Sequence, residues 1–564
     1  AGSYGLRLSS GDLESLRHAP VRILAGGSGG TGAFASAGGL ILTNHHVALD
    51  CIRTSTLAED TENYVAMGFT APAVAEELPC KRFLVQVERE ASDVTDRLAA
   101  AAPSGASAEE IQEARERVRS DLERSCQKER GDDFRCEAVD FNSGARSYLI
   151  VYEQFKDVRL VYAPEVSLGY FGGDEMNFRF PRYVSDVSIL RAYVAPDGAH
   201  REYHEENVPA KPTHYLRVGL EGIQEGDFTW IGGFPGNTNR YRMSFSADYN
   251  LRKGMPDIIR NLEGELEILR KYAAMKPAYD VLLKSRIFGL SNALKYYRDV
   301  HDALGATDVV SSWRRREREL VAFLDTRPDL KAEYGAVLEA QRKVYAEDVE
   351  AFDPLETATE WLQKSTILGY ASGLYEFALA RAKSADADRE PQFQERNWPE
   401  VKSTLLNDDP VLLELDEELL VRGFELALAL DGAQRIPAVE ALAERVGRDP
   451  RKLARAVLEG TKLDALDERK RLSEATLDAF GESKDPSISF ARELEPTLEA
   501  GRKRARVLNE KLFMNRAKFA RALSAWKGEE LYYDANFTLR ASFGEARGYV
   551  DSQGREVPFA TRLE

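Results

Sequence analysis

The run Gly32-Ala33-Phe34-Ala35-Ser36-Ala37-Gly38-Gly39-Leu40-Ile41-Leu42-Thr43-Asn44-His45-His46-Val47 sets the expectation for the fold. Leu40 to Leu42 reads as an apolar strand, opened by paired glycines and closed by Thr-Asn-His-His, which puts an imidazole at a strand end. Working outward, short β-rich runs recur from about residue 20 to 250. They are residues 21–25 (VRILA), 146–154 (RSYLIVYEQ), 158–164 (VRLVYAP), 187–196 (VSILRAYVAP) and 227–236 (DFTWIGGFPG). Gly, Pro and Asp separate them, the pattern of an all-β sandwich or barrel. Residues 91–101 and 107–129 interrupt it with charges at helical spacing. From about 254 to 527 apolar residues return every third and fourth position, so that stretch is read as almost wholly helical. Pro256 and Pro354 fall near helix starts, where a missing N–H costs nothing. Residues 531–550 then regain β character. The order β, α, β suggests a helical domain (254–527) inserted into a β domain (1–253 and 528–564); two separate domains plus a hairpin is the alternative.

Composition narrows the function. The chain has 564 residues, 76 Lys+Arg against 93 Asp+Glu, and a formal net charge of −17. That length corresponds to about three or four domain-sized units, and 43% hydrophobic residues supply material for packed cores. The acidic balance argues against a general nucleic-acid binder, which needs a basic face to displace counterions. No long uncharged apolar run is present, so no membrane span is expected. A basic start followed by an apolar core is also missing, so no signal peptide is expected; AGSYGLRLSS suits a processed mature form or a cytosolic protein. The four cysteines, Cys51, Cys80, Cys126 and Cys136, all lie in the first quarter and allow three pairings. Their clustering suits two local disulfides in an oxidising compartment, expected as Cys51–Cys80 and Cys126–Cys136. No CxxC pair exists, so neither a zinc ribbon nor a thioredoxin-like site is expected.

Two short glycine motifs match and are set aside. Gly27-Ser28-Gly29-Gly30-Thr31-Gly32 fits GxGxxG, but a dinucleotide site needs a helix opening from that loop, and another strand follows instead. Gly26-Gly27-Ser28-Gly29-Gly30 fits GxSxG, yet its acid and histidine would have to follow in the order Asp, His. The better signal is a pair. A general base needs a pKa near working pH, which favours histidine, and only seven occur in the chain. Asp186, flanked by Ser185, Val187 and Ser188 at the head of a strand, is costly to bury unless an imidazole N–H partners it. His, then Asp well over a hundred residues later, then Ser is the order of chymotrypsin-like two-barrel peptidases.

Four longer segments carry a resemblance: residues 32–47, 157–193, 227–241 and 531–549. Together they resemble the bacterial dipeptidyl peptidases of the 7 and 11 type, serine peptidase family 46, across nearly the whole chain. The resemblance implies a chymotrypsin-like double β-barrel carrying a large inserted all-helical domain. It implies His46 as general base, Asp186 as its orienting acid, and Asn177, Phe178 and Asn292 as contacts to a free peptide α-amino group. Asn177 and Phe178 stand nine and eight residues before Asp186; Asn292 lies in GLSNALKYYRD on the helical insertion. Well-known members carry Trp where this chain has Phe178, so the aromatic wall is kept and the indole donor is not. The family's nucleophile belongs to a Gly-Asn-Ser-Gly-Ser-Pro type segment downstream of the last matched region. This chain is expected to lack that segment, and Ser28, Ser185 and Ser188 sit in no suitable motif.

The expected activity is therefore that of a serine exopeptidase releasing dipeptides from the free N-terminus of peptides. The helical cap would close the cleft beyond the second residue and so count residues. A non-catalytic relative that only binds peptide N-termini is the alternative. Neither a metal nor an organic cofactor is expected. A homodimer in the periplasm or outside the cell, with peptide substrates as partners, follows by the same analogy.

Overall fold

The protein is described here by a computed structural model covering residues 8–25, 28–58, 62–101, 105–349, 353–528 and 531–561. Eleven strands make one antiparallel sheet. They are β1 (Pro20–Ala25), β2 (Ser28–Phe34), β3 (Leu40–Thr43), β4 (Phe69–Thr70), β5 (Leu78–Pro79), β6 (Phe83–Asp93), β7 (Phe134–Phe141), β8 (Arg146–Phe155), β9 (Asp157–Ala163), β10 (Ser188–Val194) and β11 (Val208–Pro209). The order is β4-β9-β10-β3-β2-β1-β6-β8-β7, with β5 also on β9 and β11 on β10. Alternation decides which face is inside: Val21, Ile23 and Ala25 of β1 are buried and point the same way. They meet Phe34, Ile41, Val85, Leu160 and Leu190 in one core, each fully buried large side chain contributing about 2 kcal/mol.

The helix His45–Ala58 lays Val47, Ala48, Cys51 and Ile52 on that same core. This contact explains the glycines of β2. A Cβ at Gly30 would lie 2.5 Å from Val47 Cγ2, so the strand can approach the helix only without a side chain there. From Ser28 onward the glycine-rich run is itself strand β2, and, as expected, another strand rather than a helix follows it; Gly26 and Gly27 lie outside the described residues. Two disulfides fix the neighbourhood. Cys51–Cys80 pins the helix to the segment between β5 and β6, and Cys126–Cys136 pins the helix Ala108–Arg130 to β7.

Helices then occupy the chain from Ser244 to Lys527. They begin earlier than residue 254 because Glu317, distant in sequence, holds the first turn: its carboxylate accepts from the Ser244 backbone N–H at 2.5 Å and from the Ser244 hydroxyl at 2.6 Å. Leu368, Phe377, Phe424, Leu453, Phe480 and Phe490 form the main helical core. The helix Thr366–Ala382 starts on a buried carboxyl group. Asp416, 1% exposed, accepts from the Ser365 hydroxyl (2.9 Å) and the backbone N–H groups of Thr366 (3.0 Å) and Ile367 (2.7 Å). Those donors would otherwise be orphaned at the helix start.

Beyond the helices the chain rejoins what it left. Strand β12 (Phe228–Gly233) pairs antiparallel with β13 (Arg540–Glu545), from Phe228 opposite Glu545 to Gly233 opposite Arg540, and β14 (Tyr549–Val550) with β15 (Glu556–Val557) makes a second small pair. The expected helix over 91–101 is shorter, Thr95–Ala100, because Ala91 to Asp93 finish β6 against Tyr148 to Ile150 of β8. No helix among the described residues is long and apolar enough to cross a membrane.

Candidate functional site

Strand pairing brings the two halves of the site together. In the β3–β10 ladder Ser188 lies opposite Thr43, so Asp186, two residues before Ser188, arrives beside the residues two or three past Thr43. The imidazole is not carried on a strand end. His46 sits in the first turn of the helix His45–Ala58. Its backbone N–H, one of the donors a helix start leaves open, is accepted by Asp186 Oδ1 at 3.0 Å. The same carboxylate reaches the ring: His46 Nδ1 and Asp186 Oδ2 are 2.7 Å apart. Asn44 Nδ2 donates to the Asp186 carbonyl at 3.0 Å and to Oδ2 at 3.3 Å.

The protonation pattern follows from these contacts. Burial alone would raise the Asp186 pKa, but the hydrogen bonds and charge of His46 outweigh it and hold the carboxyl below its usual range. An ionised carboxylate only accepts, so Nδ1 carries a proton, and in the neutral ring Nε2 presents a lone pair. That edge is open, the His46 side chain being 42% exposed against 15% for Asp186. Its neighbour is the opposite case. His45 is 1% exposed, and the backbone of Gly169 packs so tightly on its ring that a Cβ there would come within 2.4 Å. Burial pushes the His45 pKa down, outweighing the opposing pull of Asp186 and the Pro164 carbonyl. Of the two adjacent histidines, only His46 faces outward.

The residues expected to contact a peptide amine converge from two elements. Asn177, buried in the segment before β10, donates through Nδ2 to Asn292 Oδ1 at 2.8 Å, across to the helix Pro277–Ala306. Arg182 Nη1 donates to Asn177 Oδ1 at 3.2 Å, which leaves one lone pair of that oxygen for another donor. Phe178 has a left-handed backbone (φ 59°) and an exposed ring, the price of turning Asn177 inward while its neighbour faces solvent. The structure thus brings His46 to Asp186 and Asn177 to Asn292.

Residues that the sequence did not single out complete the surround. Phe288, on the same helix as Asn292, stacks on the His46 ring with centroids 5.9 Å apart and 19° between planes. Tyr170 packs edge-on against Phe288 at 4.8 Å, and its hydroxyl donates to Asp174 at 2.5 Å. Burial and that carboxylate raise the phenol pKa well above its ordinary value. Arg270 links Asp174 (3.3 Å) to Ser291 (2.9 Å) on the Asn292 helix. No local pattern marks Phe288 or Tyr170; Arg182, next to Pro181 and four residues before Asp186, offered a weak signal. Among the serines considered, Ser188 is fully buried within β10, and no serine hydroxyl among the described residues is bonded to His46. The described residues also contain no cluster of three or more His, Cys, Asp or Glu suited to a metal ion.

An imidazole backed by an accept-only carboxylate, open on its Nε2 edge and set on an antiparallel sheet beside a helical layer, is hydrolase architecture of the His–Asp type. The chain belongs to the peptidase S46 family, whose profile matches residues 2–564. It is 30% identical over 578 residues to an Asp/Glu-specific dipeptidyl-peptidase of Shewanella putrefaciens, across 99% of this chain and 76% of that protein. It is 28% identical over 561 residues to dipeptidyl-peptidase 7 of Porphyromonas gingivalis, across 97% and 75%. The fold matches the crystal structure of Porphyromonas endodontalis DPP11 with the dipeptide Arg-Glu at a TM-score of 0.78, with 22% identity, covering 99% of this chain and 80% of that one.

Proposed function

We propose that the protein is a serine-type dipeptidyl-peptidase that reads a free peptide N-terminus and releases two residues by acyl transfer. The observation that carries this reading is the 2.7 Å contact from His46 Nδ1 to Asp186 Oδ2. In this mechanism His46 Nε2 takes the proton from a serine hydroxyl brought to its open edge. Asp186 holds the ring in that tautomer and stabilises the imidazolium, and His46 then returns the proton to the leaving amine. Asn177 and Asn292 offer amide oxygens to the α-ammonium group, and Phe178 supplies an aromatic wall at the same amine site. The names of the relatives, a dipeptidyl-peptidase 7 and an Asp/Glu-specific dipeptidyl-peptidase, support the two-residue product.

The finer architecture is part of the same proposal. Residues 254–527 are an inserted cap, which the pairing of β12 with β13 across them supports. The β12–β13 pair contributes to the second of two barrels; the antiparallel pairing of these strands on either side of the helices supports this. The two disulfides favour an oxidising compartment, the periplasm or the exterior. A homodimer is carried over from the family resemblance and is checked by light scattering.

The test is dipeptide release from an unblocked chromogenic peptide, comparing the parent with His46→Ala and the free peptide with its N-acetylated form. Loss of release in the variant and on the blocked peptide is expected. Equal rates for parent and variant would remove His46 from the mechanism, and equal cleavage of blocked and free peptides would remove the amine site.

A further inference from the structure

Two helices run from the site just described into a chamber that the mechanism does not use. The chamber has a volume of about 1530 Å³ and lies between the sheet and the helical layer. That is larger than the roughly 300–1,000 Å³ typical of small-molecule pockets, so it has room for several residues of extended chain. On the helix His45–Ala58, His46 is followed at positions four and seven further on by Asp50 and Arg53, and both line the chamber. On the helix Pro277–Ala306, Asn292, Phe288, Ser285 and Leu282 succeed one another at intervals of four, three and three, and the last two line the chamber. Those spacings place each set on one helix face.

The order along the second helix sets a direction. Asn292 is bonded to Asn177, Phe288 is stacked on His46, and Leu282 and Ser285 are at the chamber wall. At about 1.5 Å per residue, Asn292 and Phe288 are roughly 6 Å apart along the axis. Two extended residues span about 7 Å. A peptide whose ammonium is at Asn177 and Asn292 therefore has its second peptide bond at His46, and the rest of it continues toward Ser285 and Leu282.

Resting on the dipeptidyl-peptidase reading above, we infer that this chamber is the subsite for the leaving part of the substrate, the polypeptide on the C-terminal side of the scissile bond. Its wall is charged but largely internally matched. Arg53 is bonded to Asp50 at 2.8 Å and to Asp409 of the helical layer at 3.0 Å, and Arg82 reaches both of those carboxylates at 3.4 Å. A wall whose charges already have partners places little demand on the sign of a passing side chain. The subsite accordingly accepts an extended oligopeptide of mixed sequence, with length as the property it reads.

The experiment fills the chamber from two different helices with Leu282→Trp and, separately, Thr404→Trp, both positions lining it. Each protein is assayed with an unblocked dipeptidyl chromogenic substrate and with an unblocked decapeptide. The quantity read is the ratio of kcat/KM for the decapeptide to that for the short substrate, which does not depend on the fraction of folded enzyme. The ratio is expected to fall at least tenfold in both variants, chiefly through KM. A ratio within twofold of the parent in both would overturn the assignment. The two readings fail separately: a parent that releases no dipeptide from the short substrate refutes the peptidase reading itself, whereas an unchanged ratio in an active parent refutes only the chamber.

Discussion

Replacing Asp186 by asparagine keeps the side chain's shape and removes one acceptor, and the structure says which one matters. Both carboxylate oxygens take an N–H from His46, the backbone into Oδ1 at 3.0 Å and the ring into Oδ2 at 2.7 Å. Asparagine has a single oxygen, so its NH₂ must face one of those two positions. The backbone donor is fixed, whereas the ring can move its proton from Nδ1 to Nε2. The amide nitrogen will therefore face Nδ1, and Nε2 will carry a hydrogen and be unable to accept one. A triad with the wrong tautomer loses about ten thousand-fold in kcat, equivalent to roughly 5.5 kcal/mol of barrier. KM should change little, because Asn177 and Asn292 are untouched. Initial rates of dipeptide release at saturating unblocked substrate, with circular dichroism to confirm folding, provide the assay. A folded Asp186→Asn protein losing less than tenfold in kcat would refute the tautomer argument.

Other perturbations test the surround and the scaffold. Phe288→Ala removes the ring stacked on His46; a fall in kcat of about tenfold, near the 0.5–1.5 kcal/mol of an aromatic pair, is expected, with the far-ultraviolet spectrum unchanged. Asp416→Ala leaves three buried donors without an acceptor and should cost about 3 kcal/mol or more in denaturant unfolding. Reducing Cys51–Cys80, which closes a separation of 29 residues, should lower stability by about 3.5 kcal/mol on the chain-entropy model; Cys51→Ser with Cys80→Ser reports it. Burial pushes the Glu376 pKa up to about 7, against the pull of Arg502. The folded state then binds this proton more tightly than the unfolded state. The group's favourable contribution is fully present at acid pH and is lost as pH rises from about 4.5 to 7. Glu376→Gln should therefore stabilise the protein above pH 7 by up to about 3 kcal/mol, with little effect near pH 4, as thermal melts across that range will show.

What the sequence revealed was what lies close along the chain. Leu40 to His46 carry a strand and, in the helix turn just after it, the histidine, all within a few residues, and Asp186 stands beside the β10 run that pairs with that strand. Their meeting needed only the antiparallel β3–β10 register. Of the two helices of the extra chamber, Pro277–Ala306 was legible as apolar periodicity and His45–Ala58 was missed inside a stretch read as β-rich; nothing in that periodicity tells that Phe288 will face His46 rather than the helical core. Strands β6 and β7 were missed because FLVQVERE and FRCEAVDF mix charge with apolar residues. Arg22, bonded to Glu137 at 2.8 Å across the sheet, shows that such charges are matched between strands that are distant in sequence. The helix at Ser244 depends likewise on Glu317, a partner no local window contains.

The most direct measurement is the mass spectrum of the products from an unblocked decapeptide followed over time. The account predicts a ladder of fragments, each shorter by two residues from the amino end, with free dipeptides accumulating. Removal of single residues, cleavage in the interior, or an intact decapeptide would contradict it.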